Sequence, residues 1–326
     1  MSGGRVVLLV LVLAAVAGVP LVANNYVLSV LIPLGMFTGL AYSWNIISGY
    51  TGYLSFGQVT FFGVGAYTGA VLIIKLHVGW PTAALAGGVV AALLSLPLGW
   101  IMLRLRGPYF AIGMLGLSRI AERVAYAWEP VTSGGRGLYL PPVLDLRTVY
   151  WGVMLVLGVL VAITALLDNS RFGLRLLAIR EDEGGADNLG INTTLVKLQA
   201  FVLSAFFPGF LGAIYAWHVS YIDPATAFAT QVDLTAIVAV LLGGAGTVWG
   251  PMIGGVTLSL LAEFLWARFP FLHTALFGAL VVVTVLFLPR GLADAFRRRG
   301  WMAPGRIFLR RLAARQAPIA TVPEYR

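Results

Sequence analysis

Ten stretches of this chain are apolar on the scale of a lipid bilayer: 6–23, 26–47, 56–76, 81–103, 108–127, 149–167, 198–219, 233–243, 250–267 and 272–288. Most reach the roughly 20 residues that a helix needs to cross about 30 Å of hydrocarbon. Their separators are short and rich in Gly, Pro or charge. A soluble core does not contain so many helices of that length. Composition points the same way, with 59% hydrophobic and 11% charged residues, against about 25% charged in soluble proteins. The fold class is therefore an all-α polytopic membrane protein with about 8–10 transmembrane helices, broken or re-entrant segments included.

Two stretches fit the pattern poorly. Segment 108–127 carries Arg119, Glu122 and Arg123 and is expected to be a half-span with its charged end at the interface. Segment 233–243 is too short to cross and reads as a re-entrant or broken helix. The first segment, with Arg5 ahead of an apolar run and small residues Ala15 and Ala17 before Gly18, also has signal-peptide features. Its continuation to Ala23 favours an uncleaved helix.

The sequence pI of about 10.1 has a local origin. Nine arginines and only two acids, Asp294 and Glu324, lie in 289–326, which thus carries +7 of the net +9. A basic segment after an apolar run is expected on the cytoplasmic side, beside anionic lipid. It lacks a nucleic-acid-binding motif, so no nucleic-acid partner is expected. Ten crossings place both termini inside, together with Arg104, Arg106 and the polar segment 168–197. The loops left outside carry almost no Lys or Arg. The expected division is a transmembrane domain over 1–290 and a cytoplasmic tail over 291–326. There are no cysteines, and His77, His218 and His273 share no ligand spacing, so neither a metal site nor a catalytic residue is expected.

Two interruptions stand between apolar helices. The first runs from Ser48 to Gln58 and holds Gly49, Gly52, Ser55 and Gly57. The second runs from Gly243 to Pro251 and holds Gly244, Gly246, Thr247 and Gly250. Paired Gly/Pro breaks in the two halves of a membrane protein mark a translocation pathway built from discontinuous helices. Close packing of helices through small residues is the other reading. Ser55, Gln58 and Thr247 offer hydrogen bonds to a polar solute. The Gly-rich run from Thr132 to Leu138 lacks the phosphate-loop pattern and reads as an external loop over the mouth of the pathway, or as a turn.

The longest polar segment before the tail is 168–197. Helical character from Leu174 to Arg180 leads to the acidic Glu181, Asp182 and Glu183. Gly184 and Gly185 are expected to interrupt it, and Ala186 to Leu189 to form a further turn. Gly190 is placed to terminate that turn, and Asn192, Thr193 or Thr194 to cap the next span. Such a loop is either merely solvated or a docking surface for another protein.

The run Arg171-Phe172-Gly173-Leu174-Arg175, Ala178 to Glu183, Ala186, Leu189-Gly190-Ile191 and Lys197 resembles the coupling loop of branched-chain amino-acid ABC importer permeases, in their LivM-like member. The two glycine breaks and the loop ending Gly137-Leu138 resemble that family in the same order, over about residues 25–290. Gly184-Gly185 departs from it, standing where an alanine-rich helical turn is usual. The resemblance implies a bacterial-type inner-membrane permease subunit, not itself an enzyme, that forms half of a translocation pathway with a second permease. Two cytoplasmic ATPases, holding ATP and Mg, would dock on Arg175, Ala178, Arg180 to Glu183, Ala186, Leu189 and Gly190. An extracytoplasmic binding protein would deliver a branched-chain or related amino acid. Related permeases serve urea or short amides. An ion-coupled carrier is the competing class; it needs ionisable groups within the membrane, and here Glu122, Asp233 and Glu263 read as interfacial.

Overall fold

A computed structural model describes residues 18–21, 23–143 and 145–269, with isolated positions 275, 278, 279, 282 and 292. Most of the first expected segment, nearly all of the last one and the basic tail lie outside the described residues.

The described chain is helical apart from one two-residue strand pair. Helix α1 (Asn25–Trp44) opens on Asn24, whose side chain accepts from the Val27 amide at 3.0 Å, and continues into a π turn, Asn45–Gly49. Helices α2 (Gln58–Leu76), α3 (Trp80–Met102) and α4 (Pro108–Ala127) follow. A single turn, α5 (Glu129–Thr132), a 3-10 turn Gly134–Arg136 and strand β1 (Leu138–Tyr139) lead into α6 (Leu146–Asp168). Two short helices, α7 (Arg171–Glu181) and α8 (Glu183–Asn188), precede α9 (Thr193–Val219). Strand β2 (Tyr221–Ile222), the turn α10 (Pro224–Ala227), α11 (Thr230–Gly243) and α12 (Gly250–Arg268) complete the described part.

Among the described residues, six helical segments are long and apolar enough to span a bilayer: Asn25–Gly49, Gln58–Leu76, Trp80–Met102, Leu146–Asp168, Thr193–Val219 and Pro224–Gly243. One expectation is corrected. The stretch around 233–243 begins earlier than its apolar run, because Asp223 caps α10 through a box with Thr226; the composite is broken, as expected, but has span length. Segment 108–127 is one uninterrupted 20-residue helix, about 30 Å long, and is not among the six apolar segments. Its charges lie on one face and do not end the helix.

Helix α9 sits at the centre, packed against α2 and α3, with α1 and α6 beside it. Lipid tails offer no hydrophobic drive for helices to associate, so close backbone approach must supply the contact. Small residues provide it here. A side chain at Gly65 or Gly209 would run into the opposing helix, and one at Gly212 into the Phe62 carbonyl. On the other side, α1 packs on α6, α11 and α12, and α11 pairs with α12. Here too a Cβ at Gly254 would collide with the Ala239 carbonyl.

At the end of the bundle remote from α7 and α8, Leu138 pairs with Ile222 and Tyr139 with Tyr221 in antiparallel register. The Thr132 hydroxyl donates to the Ala125 carbonyl at 2.6 Å and accepts from the Gly134 amide at 3.2 Å. The Gly-rich run is thus a built turn strapped to the α9–α10 connection.

Candidate functional site

The two interruptions, about two hundred residues apart in sequence, meet. Asn45, in the π turn, accepts from the Gly246 amide through Oδ1 at 2.8 Å and donates through Nδ2 to the Thr247 carbonyl at 3.2 Å. Tyr42, one turn earlier, donates to the Val248 carbonyl at 2.7 Å. On the first break's own side, Trp44 Nε1 donates to the Ser55 carbonyl at 2.7 Å, and the Ser55 amide donates to Ser48 Oγ at 3.1 Å. Thr247 closes its own turn, donating to the Gly244 carbonyl at 2.8 Å and accepting from the Gly250 amide at 2.9 Å. Backbone groups freed by a broken helix at membrane depth need partners inside the protein, and these bonds supply them. Gly52 (φ 78°) and Gly246 (φ 72°) hold left-handed conformations that other residues rarely adopt.

The segment between α6 and α9 folds as a helical pair attached to these breaks. Ser170 caps α7, accepting from the Gly173 amide at 3.0 Å, and Asp182 caps α8, accepting from the Gly184 amide at 3.0 Å. The interruption therefore falls at Asp182 (φ −156°, ψ 110°), two positions earlier than the glycines suggest. Gly184 and Gly185 lie inside the first turn of α8, where a capping carboxylate and not local propensity decides the start. Gly190 (φ 81°) ends the unit, and Asn192 caps α9, accepting from the Leu195 amide at 3.0 Å. From α7, Arg180 Nη1 donates to the Gly49 carbonyl at 2.7 Å and its methylenes lie against Gly52. From α8, Glu183 Oε1 accepts from Lys197 Nζ at 2.6 Å. The same ammonium donates to Tyr53 Oη at 2.9 Å and to the Leu103 carbonyl at 3.3 Å, and the Tyr53 hydroxyl donates to Glu183 Oε2. Charged and polar groups thus join the helical pair to the first break, to the end of α3 and to the start of α9.

With this geometry in view, the comparison with known proteins is specific. Residues 26–285 match the family described as branched-chain amino acid transport system / permease component. The chain belongs to this permease family. It is 30% identical over 285 residues to the LivM permease protein of the high-affinity branched-chain amino acid transport system of Salmonella typhimurium. That alignment covers 78% of this chain and 66% of that protein, so the chain spans about two thirds of that relative's length. The LivH permease protein of Escherichia coli is 25% identical over 78% of this chain and 89% of its own. The autoinducer 2 import system permease protein LsrC of Salmonella typhi is 30% identical over 72% of this chain and 71% of its own. No solved structure matches the chain.

Within this family member, the residues singled out in sequence divide by what they touch. Gly49 and Gly246 abut one another, and Gly243 and Gly250 meet backbone to backbone. Gly57 faces Met114, and Gly244 (φ 119°) turns the chain. Each of these glycines has a packing or backbone role. Ser55 and Gln58 are buried with side-chain oxygens that have no partner among the described residues. On the helical pair, Arg175, Glu181, Asp182, Leu189 and Gly190 are exposed, and Leu189, 82% exposed, is an apolar knob on a polar surface. Ala178 is half-buried and Ala186 buried. Glu183 belongs to the interior network and not to the surface acids beside it. Its partial burial raises the carboxyl pKa, but hydrogen bonds from Lys197 and Tyr53 and the Lys197 charge outweigh this and hold it below the usual carboxylate range. Burial, then Glu183, pushes the Tyr53 hydroxyl upward.

Asn45 and Tyr53 are site residues that the sequence reading does not single out, although an amide in the last turn of an apolar span is a signal; Lys197 stands in the coupling-loop run, without a role assigned to it there. Asp233 is 1% exposed, and its Oδ1 accepts from the Val59 amide at 2.8 Å. Gly57, the N-cap of α2, has no side chain to perform that task, so the cap comes from another helix. Glu122 pairs with Arg119 at 2.8 Å. Among the described residues no three His, Cys, Asp or Glu side chains form a metal-binding group.

Proposed function

We propose that this chain is the permease subunit of an ATP-driven importer for branched-chain or related amino acids, set in a bacterial-type cytoplasmic membrane with its C-terminus inside. It forms half of the translocation pathway beside a second permease. The observation that carries this reading is the latch between α7–α8 and the two meeting breaks, through Arg180 to Gly49 and through Glu183, Lys197 and Tyr53. A loop wired to the interruptions of membrane helices is suited to convert a push from outside the membrane into their rearrangement.

In this reading two ATPase subunits, which hold ATP and Mg, press on the coupling loops of the permease pair, in this chain on the exposed face of Arg175, Glu181, Asp182 and Leu189. An extracytoplasmic binding protein delivers the cargo to the opposite end. The motion reaches the pathway residues Gly49, Gly52, Ser55, Gly57 and Gln58 on one break and Gly243, Gly244, Gly246, Thr247 and Gly250 on the other. The test is isolation from the native membrane in mild detergent, followed by reconstitution. Recovery of an ATPase and a second permease, with leucine uptake that requires ATP, is expected. Recovery of this chain alone, with solute flux that ATP does not affect, overturns the reading in favour of a carrier or channel. Uptake of urea or a short amide in place of leucine retains the importer and replaces its cargo.

A further inference from the structure

Helix α4 carries a face that packing within the described chain does not use. Its inner side rests on the first break: Met114 lies against Gly57, and the Phe110 ring meets Tyr53 edge-on at 5.3 Å. On the opposite side Ile112, Leu115, Arg119, Ile120, Arg123 and Val124 are exposed. Their spacing of three and four residues puts them on one stripe. Gly116, on the same stripe, has open space where a side chain would stand. An open groove of about 390 Å³ lies there, lined by Arg119, Ile120, Arg123, Val124 and Ala127.

Arg119 stands eleven residues from Pro108 and eight from Ala127, about 16 Å and 12 Å from the helix ends. Its side chain is 56% exposed, yet it is held in place. Nη1 donates to Glu122 and Nη2 to Thr230 Oγ1, each at 2.8 Å. Arg123, one turn on, is exposed and has no hydrogen-bond or ion-pair partner among the described residues. Arginines that far into a membrane are costly against lipid and face protein or water. The bond to Thr230 also fastens α4 to α11, the helix that ends at the second break. A face attached to both breaks shifts when they shift.

A guanidinium fork matches a carboxylate. Beside the two forks Ile120, Val124 and Ala127 form an apolar floor, and the groove falls in the size range of small-molecule sites. Two cations next to such a floor suit an anion with an aliphatic chain. We propose that the outward stripe of α4 is this chain's wall of the translocation pathway, opposite the second permease, where Arg119 and Arg123 hold the carboxylate of the amino acid in transit and Ile120 and Val124 its aliphatic chain. This rests on the importer reading above and deepens it by naming the face along which the cargo moves.

The test uses the assembled importer in nanodiscs. Ile120→Cys introduces the chain's only cysteine, and its modification is read by the mass of this chain. Membrane-impermeant methanethiosulfonates should react there, the anionic sulfonate about tenfold faster than the cationic trimethylammonium reagent, and leucine should slow both. Arg123→Gln should remove most of that preference and raise the KM for leucine uptake about tenfold, the worth of one charged hydrogen bond. Arg123→Lys, which keeps the charge and loses the fork, should recover only part. Reaction with a lipid-soluble maleimide alone would place the stripe against lipid, and reaction only after the second permease is removed would make it a dry subunit interface. Either result overturns the proposal, as does an unchanged KM in Arg123→Gln. The labelling pattern decides by itself should that variant fail to assemble. Wild-type leucine uptake alongside a failed labelling test leaves the importer standing; its absence removes the importer reading and this cargo site with it.

Discussion

Individual side chains carry the connection between the loop and the membrane. Arg180→Ala removes the donor to the Gly49 carbonyl and leaves the exposed face of α7 intact. ATP hydrolysis by the assembled importer should persist while leucine uptake per ATP falls about tenfold, the scale of one charged hydrogen bond. Equal losses in both would assign Arg180 to docking. The acidic trio should separate in the same assay: Glu181→Lys with Asp182→Lys weakens retention of the ATPase, whereas Glu183→Gln leaves it retained. Lys197, 3% exposed, and Glu183, 19% exposed, form a largely buried pair. Removing one partner, as in Lys197→Met, strands the other and should cost about 3 kcal/mol; Glu183→Gln combined with Lys197→Met should recover part of the lost thermal midpoint. The Glu183 carboxyl is held below its ordinary range, so its stabilisation is present at neutral pH and is lost as pH falls below the normal carboxylate pKa. A melting curve of the wild-type chain that declines in acid more steeply than that of the double variant checks the sign.

Among the elements, the helices were largely legible because apolar runs of span length have few alternative folds. Segment 108–127 agrees to the residue with α4, and 250–267 with α12 to within one. The misjudgements share one cause, the partnering of a polar group by something remote. Asp182 restarts the chain as α8 despite two glycines, because its carboxylate caps the turn. Asp233 caps an amide 174 residues away, a contact that no local pattern encodes. Asn45 passed as part of an apolar span because its partners lie beyond residue 240. Asp182→Ala should weaken α8 by about 1 kcal/mol, seen as faster amide hydrogen exchange over 183–188 with exchange in α7 unchanged. Substitution of Gly209 by Leu, against the backbone of α3 at Gly87 and Gly88, should prevent α3 and α9 from packing and remove the chain from the membrane fraction.

For the molecule as a whole, the absence of cysteine allows the two breaks to be tied together at will. The thiols of Tyr42→Cys with Val248→Cys, at positions joined by a 2.7 Å hydrogen bond from the tyrosine ring to the backbone, lie too far apart for a direct disulfide and should be bridged by a short bifunctional methanethiosulfonate that replaces the span of the lost ring. Uptake should stop and return with reductant, whereas uptake undisturbed by the crosslink would mean that the breaks do not move apart during transport. Asn45 gives this a kinetic consequence. One amide grips two successive residues of the other break, accepting from the Gly246 amide and donating to the Thr247 carbonyl, so neither interruption can rotate without releasing or dragging its counterpart. Both bonds belong to one side chain, so parting the breaks releases them together, and the amide acts as a catch on the joined arrangement worth about 1 kcal/mol per bond.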